Sequence, residues 1–292
     1  MSAPFFADAT ARAARREPFA TATVVRAEKP TSAKPGAKAI VTADGALNGW
    51  IGGSCAAPTV VRESLEALAD GQPRLILISN EPMPPRKGLR QIPMTCASGG
   101  ALEIYIEPVL PREQLVVFGA TPVAHALASL GAGLNFEVAT SLEGVTVDER
   151  THIVVATRGE SDEEAVIEAL RTPAPYVALV ASHKRGDTVV AAAMAAGVPK
   201  PRAMALHYPA GLDIGARTEE EIALTILAEI VRDRPARAAA PEVAEAIDPV
   251  CGMTVAITPH ALSAIHEGAT YYFCAESCRR RFLKEHATTH AP

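Results

Sequence analysis

The sequence predicts an α/β protein with three parts: a mixed α/β domain, a doubly wound parallel-sheet domain and a small C-terminal module. Short apolar strands alternate with helical patterns from residue 115 onward, which is typical of a parallel sheet covered by helices. Strands joined by a hairpin turn precede this region, and a short Cys-rich stretch follows it. At 292 residues the chain exceeds one average core, so more than one domain is expected.

Composition and charge exclude several classes of protein. The chain is 48% hydrophobic and 21% charged, which is the balance of a soluble globular protein. A formal net charge of −5 argues against nucleic acid as a partner. The sequence has neither an apolar leader nor an apolar run of about 18 residues, so we expect no secretion signal and no membrane span. Five cysteines, an odd number, favour a reducing cytoplasm.

Residues 1–110 are predicted to form the mixed α/β domain. The expected strands are FATATVVRAE (19–28), AKAIVTA (37–43), RLILIS (74–79) and ALEIYIEPV (101–109). Asp44-Gly45 is a hairpin signal, and an apolar stripe predicts a helix over 58–71 that ends at Gly71. The Pro- and Gly-rich residues 81–100 are predicted to be one long loop, and long loops are commonly functional.

Residues 111–233 are predicted to form the parallel-sheet domain. Its expected strands are LVVFG (115–119), FEVAT (136–140), HIVVAT (152–157) and YVALVAS (176–182). Capping boxes are expected at Ser161 with Glu164 and at Thr218 with Glu221. The Ala/Pro-rich residues 234–246 are predicted to be a linker to a module at 247–292, which is too small to rely on an apolar core alone.

The turn after the first parallel strand is where a Rossmann fold binds a pyrophosphate. In GATPVA, Gly119 keeps the first glycine of the fingerprint, whereas Thr121 replaces the second. The next strand, FEVATS (136–141), has no acid at its end, where the residue that binds ribose is expected. Ordinary NAD binding is therefore disfavoured, although an NAD(P)-dependent oxidoreductase stays an alternative.

Two cysteines lie in separate glycine-flanked loops. Cys55 follows Gly52, Gly53 and Ser54 at the entrance of the 58–71 helix, where the partial positive charge lowers a thiol pKa. Cys96 lies in a polar loop before Gly99 and Gly100. Both are candidate functional thiolates, and the alternative is that they pack as small apolar residues.

Three further cysteines fall in the C-terminal module. Cys274 and Cys278 are four residues apart on a predicted helix, and Cys251 lies in a Pro/Gly turn. Three converging thiols favour a soft-metal site for Cu(I) or Zn(II). His260, His266 and His286 are candidate additional ligands, and the alternative is packing only. Arg279, Arg280 and Arg281 are read as a solvated helix face.

Residues 15–233 resemble the XdhC/CoxI family of accessory proteins for molybdenum hydroxylases. The similarity lies in ATVVRAEKPTSAKPGAKAIVTADGALNGWIGGSC, MTCASGGALEIYIEPV, LVVFGATPVAHALA and PAGLDIGARTEEEIALTILAEI. It implies an N-terminal domain and a Rossmann-like domain, commonly as a homodimer. It also implies that the protein binds molybdenum cofactor (molybdopterin, with the cytosine dinucleotide form as an option), assists its sulfuration and delivers it to the apo-enzyme, with a cysteine desulfurase as a further partner.

By this resemblance, Gly52, Gly53, Ser54 and Cys55 form the cofactor-facing loop, Cys96 is its companion, and Asp213 belongs to an interdomain site. Gly119 and Thr121 occupy the family's glycine-rich turn. The sequence departs from the family at Thr121-Pro122, at Arg158-Gly159 and at Ala56-Ala57, where a Val-Glu pair is common, so no acid stands beside the Cys55 thiol.

Residues 247–286, through DPVCGM and YYFCAESCRRRF, resemble the YHS module of metal-handling proteins. Since molybdenum-type CO dehydrogenase needs copper and sulfur beside molybdenum, this tail favours that enzyme as the client, with xanthine dehydrogenase as the other. The sequence thus predicts a cytoplasmic cofactor-handling chaperone rather than a turnover enzyme. Besides the oxidoreductase, a copper or zinc carrier is an alternative.

Overall fold

The computed structural model describes residues 3–53, 56–81, 84–94, 100–159, 161–234 and 243–287. The chain folds into two compact units. The first combines Met1–Pro111 with Ala236–Pro292, and the second is Arg112–Pro235. The C-terminal module therefore shares a unit with the N-terminal domain. Over the described residues, no helix is both long and apolar enough to cross a membrane.

A six-stranded mixed sheet forms the N-terminal part of the first unit. Its elements are α1 (Ala3–Ala14), β1 (Phe19–Glu28), β2 (Lys38–Thr42), β3 (Leu47–Gly49), α2 (Ala57–Asp70), β4 (Arg74–Ser79), β5 (Leu89–Pro93) and β6 (Ala101–Val109). The strand order is β3-β2-β1-β6-β4-β5. The amphipathic helix α2 packs on β1, β2 and β6 and buries Val60 and Ala67 against them.

The register of this sheet fixes where its connecting loops emerge. Since β2 is antiparallel to both β1 and β3, β3 ends toward the same edge as β1. At that edge Glu28, the last residue of β1, pairs with Ala101, the first residue of β6. Ser79 ends β4 opposite Ala101 and pairs with Pro93 at the end of β5. The loops 50–56 and 94–100 thus leave the sheet at one edge.

The second unit is a doubly wound parallel sheet. Its elements are β7 (Gln114–Phe118), α3 (Pro122–Gly133), β8 (Glu137–Ala139), β9 (Thr151–Val155), α4 (Asp162–Leu170), β10 (Tyr176–Leu179), α5 (His183–Ala195), α6 (Lys200–Ala203) and α7 (Glu219–Asp233). The order β10-β9-β7-β8 is entirely parallel, with α3 and α7 on one face and α4 and α5 on the other. This confirms the predicted fold class.

The C-terminal module consists of two short ladders and a helix. Its elements are β11 (Glu245–Ile247), β12 (Thr254–Ala256), β13 (Leu262–His266), β14 (Ala269–Phe273) and α8 (Glu276–Ala287). β12 packs against α2. Because β11 pairs with β12, residues 245 and 246 of the predicted linker belong to this module.

Three local expectations differ from the structure. The predicted loop 81–100 contains β5, which adds a parallel edge strand beside β4. Ser161 precedes α4 in a left-handed conformation, and its side chain makes no capping hydrogen bond. Asp162, the first residue of α4, accepts a hydrogen bond from the N–H of Gly159 in the preceding loop. The N-terminal helix α1 was not among the predicted elements, and none of its residues is buried.

Candidate functional site

Four side chains of the C-terminal module converge on one point. We call them the thiol cluster: Asp248, Cys251, Cys274 and Cys278, whose potential ligand atoms all lie within 4.8 Å of one another. The Sγ atom of Cys274 is 3.4 Å from that of Cys251 and 3.8 Å from that of Cys278. The predicted trio of cysteines therefore meets in the fold, and Asp248 joins it.

Three elements bring these residues together. Cys251 lies in the turn between β11 and β12, where Gly252 adopts a positive φ of 74°. Cys274 directly follows β14, and Cys278 lies in the first turns of α8. The expectation that both cysteines share one helix face was wrong for Cys274, because α8 begins two residues later, although the bend between strand and helix still brings the two sulfurs together.

Asp248 is the member that the sequence reasoning missed. It is fully buried, and its two oxygens accept hydrogen bonds of 2.8 Å from the N–H groups of Val250 and Cys274. Because Asp-Pro ordinarily signals a turn, the carboxylate did not stand out as a candidate metal ligand. Its position three residues before Cys251 was the available signal.

Burial dominates the electrostatics of the cluster. It is the main cause that raises the pKa of the Cys274 thiol, with the neighbouring Asp248 and Cys251 adding to the shift. Burial also raises the pKa of Cys278, to about 11. It raises the pKa of Asp248 as well, but the backbone N–H donors outweigh it, and the net pKa lies below its usual value. Without an ion, the raised pKa values therefore keep Cys274 and Cys278 protonated beside the Asp248 carboxylate.

The spacing of the sulfur atoms fits a single metal ion. Two thiolates bound tetrahedrally to one zinc at about 2.3 Å lie roughly 3.8 Å apart. The observed separations of 3.4 and 3.8 Å are close to this value. Three sulfurs suit Cu(I), and three sulfurs with a carboxylate suit Zn(II).

The candidate histidines lie elsewhere in the module. The Nε2 atom of His260 is 2.8 Å from a carboxylate oxygen of Asp44. The ring centres of His266 and His286 lie 4.4 Å apart with the planes tilted by 41°, and both rings pack against Phe282. They were expected as possible ligands, and aromatic packing and ion pairing hold them away from the sulfurs.

The C-terminal module and the N-terminal domain enclose a cavity of about 550 Å³. Cys274 lines it from one side, and Ala57 and Pro58 at the start of α2 line it from the other. Ala56 precedes α2 without a side-chain cap. The cavity thus extends from the thiol cluster to the helix that begins just after Cys55.

Ser54, Cys55 and Cys96 lie outside the described residues, but the flanks of both cysteine loops are described. A Cβ at Gly52 would lie 3.1 Å from the Cβ of Ala33, and one at Gly100 would lie 2.4 Å from the carbonyl oxygen of Pro30. Both flanks therefore pack on the segment after β1. A Cβ at Gly53 would meet no atom of the described residues within 4 Å.

The glycine-rich turn of the second unit serves packing. Gly119 has a φ of 114°, and a Cβ there would lie 2.3 Å from the carbonyl oxygen of Ala156. Thr121 caps α3 through a 3.2 Å hydrogen bond from the N–H of Ala124. A threonine side chain thus occupies the helix start that a pyrophosphate would approach. Asp213 is exposed in the loop before α7.

A second group of titratable residues, His207, Glu229 and Asp233, lies in the second unit. Glu229 accepts hydrogen bonds from the hydroxyl of Tyr176 at 2.7 Å and from the N–H of Gly211 at 3.0 Å. Arg232 pairs with both acids. These contacts satisfy the carboxylates, so the group ties α7 to the sheet.

The fold and the site define a Rossmann-type α/β protein with an added cluster of soft ligands. Two family models match the chain: the XdhC Rossmann domain over residues 115–230, and the XdhC and CoxI family over residues 12–79. Together they cover more than half of the chain, which belongs to the XdhC and CoxI family.

The "Uncharacterized protein YqeB" of Escherichia coli strain K12 is 29% identical over 242 residues, which are 74% of this chain and 43% of that protein. This chain thus spans less than half the length of that relative. A crystal structure described as a xanthine dehydrogenase from Bacillus halodurans covers 78% of the chain and 96% of its own, at 15% identity and a TM-score of 0.37.

Proposed function

We propose that this protein is a maturation factor for a molybdenum hydroxylase that binds molybdenum cofactor at the shared edge of the N-terminal sheet. The observation that carries the proposal is the emergence of both cysteine loops at that edge, in a chain of the XdhC and CoxI family. Cys55 and Cys96 would present thiolates to molybdenum or relay sulfur, because molybdenum and persulfide sulfur both favour a soft, low-pKa thiolate.

The sulfuration step, with a cysteine desulfurase as sulfur donor, and the delivery of the cofactor to the apo-enzyme belong to this proposal. The homodimer and the cytosine dinucleotide form of the cofactor are also parts of this proposal. Asp213, Gly119 and Thr121 are its remaining candidate contacts.

We further propose that the thiol cluster binds Cu(I) or Zn(II), as the resemblance to the YHS module implies. Its sulfur spacing supports a single ion. Copper in the cluster would favour CO dehydrogenase over xanthine dehydrogenase as the client, because molybdenum-type CO dehydrogenase needs copper and sulfur beside molybdenum. The cavity that Cys274 lines extends to the start of α2, just after Cys55, which supports a shared role for the two sites.

The test is to co-express the chain with an apo molybdenum hydroxylase in cells that make the cofactor. Molybdopterin in the purified chain is measured by the fluorescence of its oxidised pterin, and hydroxylase activity is measured in parallel. Cys55→Ser and Cys96→Ser should lose both. Cys278→Ser, the matched control, should keep the pterin and lose the tail metal.

Wild-type protein without pterin, or full maturation by Cys55→Ser, would contradict the proposal. A nicotinamide nucleotide in place of pterin would favour the oxidoreductase. A metal ion bound in the C-terminal module without pterin in the protein would favour the copper or zinc carrier.

A further inference from the structure

A second cavity, of about 800 Å³, opens beside α1 in the first unit and shares no residue with the thiol cluster. We call it the Trp50 pocket. It is lined by α1, by the turn before β2, by β2 itself and by the end of β3 with the residue that follows it. The lining residues that matter here are Phe5, Asp8, Lys34, Lys38, Asn48 and Trp50.

A tight turn presents Lys34 at the mouth of this pocket. The N–H of Ala37 donates a 3.1 Å hydrogen bond to the carbonyl of Lys34. Pro35 and Gly36 occupy the two central positions, and Gly36 has the positive φ of 86° that a type II turn requires at its third residue. The N–H of Gly36 donates to the carbonyl of Val24 on β1, so the turn is fixed to the sheet.

A close approach of two strands holds Trp50. Gly49 has a φ of 123°, and a Cβ there would lie 2.6 Å from the carbonyl oxygen of Lys38. With no side chain in the way, the N–H of Trp50 donates a 3.2 Å hydrogen bond to that same oxygen. The indole is therefore anchored by its backbone beside β2, yet it is 49% exposed. A half-exposed tryptophan in a pocket has an aromatic face free for a ligand.

The charges of the pocket are unbalanced toward positive. Asp8 is the one carboxylate among its lining residues, and it pairs with Arg12 at 3.0 Å. The Nζ atom of Lys38 donates to the hydroxyl of Thr23 at 2.9 Å and lies 5.6 Å from the centre of the Phe5 ring. Within the described part of the chain, no carboxylate forms an ion pair with Lys34 or Lys38. Two ammonium groups thus face a cavity in a protein whose net charge is −5.

We infer that the Trp50 pocket binds a mononucleotide, that is, a heteroaromatic ring that carries phosphate. Trp50 offers a stacking surface for the ring, and Lys34 and Lys38 offer charge-assisted hydrogen bonds to phosphate oxygens. The cavity falls in the size range of small-molecule sites, which is about 300–1,000 Å³. The inference uses Trp50, the first residue of the 50–56 loop, but no residue of 51–56, none of the 94–100 loop and none of the thiol cluster, so it is tested apart from the proposed function.

The chain supplies its own reporter for the test. Trp50 is its single tryptophan, so intrinsic tryptophan fluorescence reports on this pocket alone. The full-length protein is titrated with cytidine diphosphate and with adenosine diphosphate, and calorimetry is run on the same samples. We expect saturable quenching with matching heats. Cytidine alone and inorganic pyrophosphate alone should each bind at least about tenfold more weakly, because each offers one half of the interaction.

Substitution of a lysine tests the charged half. Lys34 is exposed, and its side chain makes no hydrogen bond or ion pair with the described residues, so Lys34→Gln should fold normally. It should weaken binding of cytidine diphosphate by roughly threefold to tenfold and reduce its salt dependence. Lys184→Gln, an exposed lysine of α5, is the matched control and should bind as wild type does.

Two results would overturn the inference. One is the absence of both quenching and heat with either nucleotide up to millimolar concentration. The other is equal binding by Lys34→Gln and Lys184→Gln together with equal binding of nucleoside and nucleotide.

Discussion

At the residue scale, the members of the thiol cluster differ in what they contribute. Cys251 and Cys278 are half-buried, whereas Cys274 and Asp248 are buried. Asp248 holds the backbone of Cys274 and still has lone pairs free for an ion, since a carboxylate can accept about four hydrogen bonds or ligand contacts. It can therefore act either as a ligand or as a positioning group.

Asp248→Asn separates these two roles. Zinc would use the carboxylate as its fourth ligand, so the zinc affinity should fall by about tenfold to 100-fold. Cu(I) prefers thiolates, so the affinity for Cu(I) should change by less than about threefold. The measurement is a competition titration with chelators for each metal, and Glu276→Gln, which removes a nearby charge outside the cluster, is the control. Equal losses for both metals would show that Asp248 only positions Cys274.

The protonation of the thiols predicts how metal binding depends on pH. Because the pKa values of Cys274 and Cys278 are raised, both are thiols at neutral pH and must lose their protons to bind an ion. Affinity should therefore rise with pH, and about two protons or more should be released per ion. Calorimetry in buffers of different ionisation enthalpy measures this number, and release of fewer than one proton would contradict the prediction.

At the element scale, the sequence was informative where local rules agree with the tertiary fold. The strand FATATVVRAE was predicted as 19–28 and is found there, and the capping box of Thr218 with Glu221 is present. β5 was missed because Pro and Gly dominate its surroundings, and only pairing with β4 makes it a strand. Ser161 was misassigned because its left-handed backbone leaves its side chain without a capping hydrogen bond, a conformation that the residue pattern does not reveal.

Gly119→Ala tests the close approach of β7 and β9. The new Cβ would collide with the carbonyl oxygen of Ala156 and would also require a positive φ. The free energy of unfolding should fall by about 2–5 kcal/mol. Gly144→Ala also has a positive φ but meets no atom within 4 Å, so it should cost only about 1–2 kcal/mol. Urea unfolding followed by circular dichroism measures both, and equal losses would refute the packing argument.

At the scale of the whole molecule, the first unit depends on contacts between distant parts of the chain. Asp44, in the turn between β2 and β3, pairs with His260 of the C-terminal module. A Cβ at the neighbouring Gly45 would lie 2.6 Å from Cγ2 of Thr258. Arg62 of α2 lies 3.7 Å from a carboxylate oxygen of Glu245. These contacts seat the module beside α2.

The pKa of Asp44 predicts how the contact between the C-terminal module and the N-terminal domain responds to acid. The hydrogen bond from His260, followed by that from Thr42, lowers the pKa of Asp44 to about 2. A carboxyl group with a lowered pKa stabilises the fold at pH values above its ordinary pKa of 3.8. This stabilisation is lost as the pH falls through the lowered pKa of about 2.

The difference in free energy of unfolding between wild type and Asp44→Asn should therefore vanish between about pH 4 and pH 2. Urea unfolding followed by Trp50 fluorescence measures it for the first unit. In His260→Ala the same loss should move to a higher pH, toward the ordinary pKa. A difference that stays constant over this range would rule out the pairing.

The candidate site was only partly readable from the sequence, for a physical reason. Cysteine spacing predicted Cys251, Cys274 and Cys278, because soft ligands are rare and their clustering is informative. No local pattern links Asp44 to His260 or α2 to β12, because these contacts depend on the tertiary path of the chain. The shared edge of the two cysteine loops likewise follows from strand register, which propensity does not specify.

The first unit has a consequence for biosynthesis. The hydrogen bond between His260 and Asp44 joins residues 216 positions apart, and the entire second unit lies between them. On the ribosome, the N-terminal sheet is therefore complete long before Cys251, Cys274 and Cys278 emerge. Such distant pairing is slow, since the intervening segment must first be closed into a loop. The nascent protein would thus acquire these sulfur ligands only after the N-terminal sheet and the second unit have been synthesised.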